Sequence, residues 1–218
     1  RIDKNTMKDK IKRREAIKLI GCAAATSLIT PSIYALNTNA NIMKRIIPSS
    51  GEQLPVIGLG TWQTFDVGSN AAMRIQLLEV LKTMKSLGGT MIDSSPMYAT
   101  SEKVVGDLTQ KISNNDSFFY ATKVWIDGRS EGISQMNASF NKMERSAMDL
   151  MQIHNLIDWK THIKTLRDWK SEGKIRYFGF THYTNDSHDT MIKLIKQERP
   201  DFVQINYSIN NYFIYSDN

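Results

Sequence analysis

Four polar residues follow apolar segments and could together protonate a bound molecule. Asp93 ends one apolar segment, Tyr98 lies five residues later, and Lys123 and His154 follow similar segments further along the chain. The aspartate and the lysine can pair as ions. An ammonium group near a phenol stabilises the phenolate, so a tyrosine, whose ordinary pKa is about 10, becomes a more useful general acid. The histidine can hydrogen-bond both the phenol and a substrate oxygen.

This set predicts that Tyr98 protonates a carbonyl oxygen while a hydride reaches the carbonyl carbon. No side chain donates hydride, so the set requires a nicotinamide cofactor. Taken singly, each residue is more often a surface, snorkelling or turn residue, and their joint spacing is what favours catalysis. No metal centre is expected, because His162, His182 and His188 lack carboxylate or cysteine partners at ligand spacing and Cys22 is the sole cysteine.

The elements that must position these residues alternate between two hydrophobic periods. From residue 44 onward, segments with helical apolar spacing separate short apolar segments typical of strands. A small hairpin is predicted over Lys44–Pro55, with its turn at residues 49–51. Strands are then predicted at 56–60, 90–92, 118–122, 150–153, 176–180 and 202–205. Helices are predicted between them, around 73–84, 104–108, 133–147, 161–170 and 190–197.

Such alternation predicts an α/β fold with a parallel sheet, either doubly wound or closed as a barrel. Polar residues lie at five successive strand ends: Asp93, Lys123, His154, Thr181 and Gln204. Their spacings of 30, 31, 27 and 23 residues each equal one strand–helix repeat, which places them on the face where barrel enzymes hold their active sites. A doubly wound nucleotide-binding fold would carry G-x-G-x-x-G, and segment 58–63 (GLGTWQ) lacks the third glycine. A (β/α)8 TIM barrel is therefore predicted.

Over about residues 44–211 the chain resembles the aldo/keto reductase family. The resemblance rests on the motifs IDSSPMYATSE (92–102), YATKVW (120–125) and LMQIHN (150–155). It implies that Tyr98 is the proton donor and that Lys123 makes it a stronger acid. Asp93 would pair with the lysine, and His154 would orient the substrate carbonyl. The implied reaction is NADPH-dependent reduction of an aldehyde or ketone to an alcohol.

The resemblance also implies contacts for the cofactor and the substrate. The implied cofactor-binding residues are Gly60, Thr61, Asp93, Thr181, His182 and Gln204. The implied substrate contacts are Trp62 and His154. Family members often hold the nicotinamide carboxamide with a Ser-Asn pair, and His182 replaces the asparagine, which leaves the second amide contact open.

Six strand–helix units are fewer than the eight of a complete barrel. Two more would need roughly 60 residues beyond Gln204, and fourteen follow it. The expected organisation is an export leader and linker at 1–42, an incomplete reductase-like barrel at 43–211, and a tail at 212–218 unlike the family. This predicts a C-terminally truncated member. The alternative is a noncatalytic barrel that binds a nucleotide or a partner, although retention of all four catalytic residues favours an enzyme.

Most of the net charge lies near the amino terminus. The chain of 218 residues has a formal charge of +6, and residues 1–35 hold eight Lys or Arg against three Asp or Glu. The remainder is nearly neutral, which argues against a nucleic-acid-binding surface. The expected partner is a small carbonyl substrate, and the oligomeric state is left open.

The amino-terminal segment has the order of parts of an export signal. A charged segment at 8–18 contains Arg13-Arg14, resembling the twin-arginine type, and precedes an apolar segment at 19–30. About a dozen apolar residues are too few for a membrane span, which needs about 20. Export to the periplasm is predicted. The alternatives are a lipid anchor at Cys22, or a cytoplasmic location if the leader is inactive.

We expect a fusion of residues 1–42 to a fluorescent reporter to be exported with the reporter already folded, because the twin-arginine route carries folded proteins. Cell fractionation with fluorescence of the exported fraction checks this. A fusion with Arg13→Lys and Arg14→Lys is the control. Export of the reporter only in unfolded form would contradict the prediction.

Overall fold

A computed structural model describes residues 42–207. The predicted leader before residue 42, the tail at 212–218 and the predicted boundary at 211 lie outside the described residues. The described part opens with a hairpin of β1 (Lys44–Ile46) and β2 (Gln53–Pro55). The elements that follow are β3 (Leu59–Gly60), α1 (Ala71–Ser86), β4 (Met91–Asp93), α2 (Ser101–Thr109), β5 (Phe119–Val124), α3 (Arg129–Lys142), β6 (Met148–His154), α4 (Trp159–Ser171), β7 (Ile175–His182), α5 (His188–Glu198) and β8 (Phe202–Ile205).

Strands β3 to β8 form one parallel sheet in which each strand pairs with the next in the sequence. The sheet is strongly curled. The side-chain amide of Gln204 on β8 lies 3.4 Å from the carboxylate of Asp93 on β4, whereas four strand spacings in a flat sheet would separate them by about 19 Å. Sequential parallel order and this curl confirm the barrel prediction: the described residues hold six strands and five helices of a (β/α)8 barrel.

The predicted alternation is confirmed, and β3 is where the bounds differ most. The sequence predicts a strand over 56–60, whereas β3 contains two residues. The Val56 N–H instead donates to the Met43 carbonyl oxygen at 3.0 Å, which extends the contacts of the hairpin. Residues 56–58 therefore connect the hairpin to the sheet, and their apolar side chains at Val56 and Ile57 are exposed.

Two apolar cores stabilise the fold. The larger lies between the helices and the outer face of the sheet and includes Leu81, Val105, Met136, Leu166 and Phe180. The smaller lies inside the curl, where Ile47 and Leu54 of the hairpin region pack against Phe119, Ala121, Leu150 and Tyr177. The hairpin thus fills the amino-terminal end of the barrel interior. The polar residues at the opposite strand ends are left at the carboxyl-terminal face.

Polar contacts fasten the hairpin to the sheet. The Tyr177 hydroxyl lies 2.7 Å from Ser50 Oγ and 2.6 Å from a carboxylate oxygen of Glu52. Arg176 pairs with Glu52 and also with Asp149, the latter at 2.6 Å. These bonds connect the turn of the hairpin to β6 and β7 at the amino-terminal end of the sheet.

No helix within residues 42–207 is both long enough and apolar enough to cross a bilayer.

Helix α2 approaches the end of α3 so closely that only glycine fits at Gly106. A Cβ there would overlap the carbonyl oxygen of Lys142 and would lie 3.0 Å from the backbone of Met143. We expect Gly106→Ala to lower the free energy of unfolding by about 2–3 kcal/mol, because backbone must move to admit the methyl group. Urea unfolding followed by circular dichroism measures the change. Gly60→Ala is the control, because a Cβ at Gly60 meets nothing within 4 Å. Equal stability of the two variants would contradict the prediction.

Candidate active site

A buried ion pair lies at the carboxyl-terminal face of the sheet. Asp93 is the last residue of β4, and Lys123 lies near the end of the neighbouring strand β5. The lysine Nζ donates to Asp93 Oδ2 at 2.8 Å and to the Ser94 carbonyl oxygen at 2.7 Å. Lys123 is 1% exposed. The sequence-predicted pair is therefore formed and shielded from water.

Two glutamine amides complete the surroundings of the Asp93 carboxylate. Gln152 Nε2 donates to Oδ1 at 3.1 Å, and Gln204 Nε2 approaches Oδ2 at 3.4 Å. Gln152 was missing from the predicted site. It lies on β6 directly opposite Lys123 in the parallel register, two residues before His154. The signal that could have found it is a polar residue, in an apolar strand, on the same face as His154.

Tyr98 lies beside the lysine of this pair. The loop after β4 is held in a turn, in which the Tyr98 N–H donates to the Ser95 carbonyl oxygen at 3.0 Å. The Tyr98 carbonyl oxygen then accepts from the Ser101 N–H at 2.9 Å, at the start of α2. Lys123 Nζ is 4.9 Å from the centre of the tyrosine ring. Three of the four predicted catalytic residues, Asp93, Lys123 and Tyr98, therefore lie together at this end of the sheet.

His154 completes this group at the end of β6. Its ring stands edge-on to the ring of Tyr98, with centroids 6.4 Å apart, and lies 6.2 Å from the ring of Trp125. Burial, followed by repulsion from Lys123 and His182, lowers the pKa of His154 from its ordinary value to about 4. At neutral pH the imidazole is therefore uncharged, and it can hydrogen-bond a substrate without adding a second positive charge.

A pocket of about 490 Å³ opens over these residues. Its lining consists of Trp62, Met97, Tyr98, Trp125, His154, Asn155 and Tyr183. Five of the seven are aromatic rings, and none is an aspartate, glutamate, lysine or arginine. Trp62 is 63% exposed at the rim, so it forms a wall of the pocket rather than packing in the core. The lining favours an uncharged molecule.

The residues predicted to contact a cofactor divide into two groups. Thr181 and Gln204 lie opposite each other in the register of β7 and β8, and His182 follows Thr181 at the end of β7. The backbone N–H of Thr184 donates to His182 Nδ1 at 3.3 Å, which fixes the orientation of that ring. Burial, followed by repulsion from His188, lowers the pKa of His182. Thr181 and His182 lie on β7, which pairs with the strand that carries His154, and Gln204 lies on β8, one strand further along the sheet.

The second group consists of Thr61 and Gly60, at the end of β3. Thr61 is fully buried, and its polar atoms are hydrogen-bonded within the chain. Its N–H and its hydroxyl both bond the Asp93 carbonyl oxygen, at 3.0 and 3.1 Å, and its own carbonyl oxygen accepts from Ser101 Oγ at 3.3 Å. Thr61 therefore holds the β3 loop against the end of β4. Gly60 is exposed beside it, with open space where a side chain would lie.

Residues 56–215 match the family model described as "Aldo/keto reductase family". The chain belongs to the aldo/keto reductase family.

Its relatives include curated proteins and solved structures. Methylglyoxal reductase YeaE of Escherichia coli K12 is 29% identical over 145 residues, which is 63% of this chain and 49% of YeaE. Aldo-keto reductase YhdN of Bacillus subtilis is 24% identical over 159 residues, covering 66% of this chain and 48% of YhdN. A crystal structure of an aldo-keto reductase from Klebsiella pneumoniae in complex with NADPH superposes with a TM-score of 0.62 and 25% identity, over 76% of this chain and 59% of that one. The chain spans about half the length of the curated relatives it matches.

The low pKa of His154 predicts how stability of this reductase-like chain depends on pH. The unfolded chain binds a proton on this residue near pH 6.5, whereas the folded chain does so only near pH 4, so folding is disfavoured as the pH falls between these values. We expect the urea midpoint to drop between pH 7 and pH 5, and to drop less in His154→Gln. His182 titrates in both proteins and cancels in the comparison. Identical slopes in the two proteins would show that the imidazole is not held in its neutral form.

Proposed function

We propose that this chain carries the catalytic centre of an NADPH-dependent reductase that converts an aldehyde or ketone into an alcohol. The observation that carries the proposal is the placement of Lys123. Its Nζ lies 2.8 Å from the Asp93 carboxylate and 4.9 Å from the centre of the Tyr98 ring. That ring, together with His154, lines the one pocket described above.

Tyr98 is the proton donor in this proposal. As a carbonyl oxygen gains negative charge, the phenol transfers its proton to that oxygen. The ammonium of Lys123 stabilises the phenolate that remains, and Asp93 keeps the ammonium in place. The product is an alcohol, because the carbonyl carbon receives a hydride and the oxygen receives the tyrosine proton. A proton from solvent then restores the phenol.

His154 orients the substrate. A neutral imidazole can donate one hydrogen bond to the carbonyl oxygen without competing as an acid with the phenol, and burial keeps this imidazole neutral. Both rings line the same pocket, with their centroids 6.4 Å apart. A carbonyl oxygen between them would accept from both.

Polar groups suited to a nicotinamide lie beside this pocket. Gln204 donates from Nε2 toward Asp93, which leaves Oε1 to accept from a carboxamide NH2 group. The Thr181 hydroxyl and the ring of His182 would supply further contacts, and Gly60 leaves space for close approach of the β3 loop. A bound NADPH supplies hydride to the carbonyl carbon. The Klebsiella pneumoniae relative in complex with NADPH supports this assignment.

An uncharged, small carbonyl compound suits the pocket best. Its lining is aromatic and carries no acidic or basic side chain apart from the neutral imidazole. The relationship to a protein named methylglyoxal reductase makes methylglyoxal a reasonable first probe, followed by uncharged aromatic aldehydes.

We expect Tyr98→Phe to lower kcat by at least about 100-fold while leaving the affinity for NADPH unchanged, because it removes the proton donor and no proposed cofactor contact. Quenching of tryptophan fluorescence measures NADPH binding, and loss of NADPH absorbance with methylglyoxal measures turnover. Tyr207→Phe is the control, because Tyr207 is 68% exposed and does not line the pocket. Equal turnover by wild type and Tyr98→Phe would overturn the assignment of the donor. Saturable NADPH binding by wild type without any turnover would favour a nucleotide-binding module instead.

A further inference from the structure

Ser95 makes a contact with His154 that the proposed reaction does not use. It lies in the loop between β4 and Tyr98, and it is fully buried. Its Oγ is 3.3 Å from His154 Nδ1. The Met97 N–H also donates to this Oγ, at 3.3 Å. The hydroxyl therefore lies between a fixed backbone donor and one nitrogen of the imidazole.

The direction of the bond to His154 follows from counting protons. A backbone N–H can only donate, so Ser95 Oγ accepts from Met97. Within residues 42–207 the hydroxyl proton has one acceptor within hydrogen-bond distance, the lone pair of His154 Nδ1. If Nδ1 carried a proton instead, the serine hydroxyl would be a buried donor without an acceptor, which is unfavourable. Nδ1 is therefore the acceptor.

The other ring nitrogen must then carry the proton. A neutral imidazole has one N–H, so acceptance at Nδ1 leaves the proton on Nε2. No hydrogen bond to Nε2 is present among the described residues, and the ring lines the pocket. Nε2–H is thus left to donate to a bound carbonyl oxygen.

We propose that Ser95 is a positioning residue that holds His154 as its Nε2–H tautomer. This inference rests on the proposed function, in which His154 donates to the substrate carbonyl. The opposite tautomer would present a lone pair at Nε2, and that lone pair would repel the carbonyl oxygen. Ser95 thereby decides whether the histidine attracts or repels the substrate.

The first test examines the tautomer without any substrate. The full chain is labelled with ¹⁵N-histidine, and two-bond ¹H–¹⁵N correlation spectra assign the protonated nitrogen of each ring, with His154→Gln identifying the signals of His154. We expect Nε2–H in the wild type and a substantial population of Nδ1–H in Ser95→Ala. A wild type with Nδ1–H, or a Ser95→Ala spectrum that matches the wild type, would overturn the proposal.

The second test examines the consequence for the reaction. We expect Ser95→Ala to lower kcat/KM for methylglyoxal by about tenfold, the scale of one uncharged hydrogen bond, with NADPH affinity unchanged. Ser95→Thr retains the hydroxyl and should recover both the tautomer and the activity. Ser139→Ala is the matched control, because Ser139 is equally buried on α3 and its hydroxyl has no hydrogen-bond partner in the described structure.

The two tests separate failure of this inference from failure of the proposed function. An inactive wild type with the Nε2–H tautomer would reject the reductase and would leave the role of Ser95 in setting the tautomer supported by the spectra. A tautomer that changes in Ser95→Ala with no change in kcat/KM would reject the effect on substrate. Thermal unfolding of each variant confirms that the comparison is made on folded protein.

Discussion

The ion pair between Asp93 and Lys123 is the constraint on which the rest of the site depends. A lysine that is 1% exposed is strongly disfavoured unless its charge is compensated, and removing one partner of such a pair typically costs about 3–5 kcal/mol. The carboxylate is held in turn by the amides of Gln152 and Gln204. The cation therefore has little freedom, and its position beside the ring of Tyr98 is fixed by contacts from four strands.

The curl of the sheet is what brings those four strands together. Asp93, Lys123, Gln152 and Gln204 belong to β4, β5, β6 and β8, and a flat sheet would spread them over most of its width. Inside the curl, Ile47 and Leu54 of the hairpin region pack in an apolar layer with Ala121 and Leu150. Charge burial at one end of the strands and apolar packing at the other are thus two results of the same curvature.

The loop after β4 connects the ion pair to the two groups that would contact substrate. It carries Tyr98, and Ser95 in the same loop contacts His154 on β6. Thr61 directly follows β3, and its bond to the Asp93 carbonyl oxygen holds β3 to the end of β4. Because this loop begins at the aspartate, a shift of the ion pair would also move Tyr98 and the serine that contacts the imidazole. The loop thus links the ion pair to His154, since Lys123 bonds the Ser94 carbonyl oxygen and Ser95 contacts the imidazole.

The sequence by itself determined the alternation of strands and helices, the barrel, and the polar residues at the strand ends, because hydrophobic periodicity and repeat spacing are local properties of the chain. The length predicted for β3 was too great, because the pairing of Val56 with the hairpin is a contact between segments that the apolar pattern does not encode. Only the tertiary structure decided the roles of Gln152 and Ser95. Each is a buried polar residue whose role depends on a contact between β4 and β6, two strands that are not neighbours: Gln152 on β6 bonds Asp93 on β4, and Ser95 after β4 contacts His154 on β6. Those contacts are set by the register and curvature of the sheet, which arise from packing of the whole barrel.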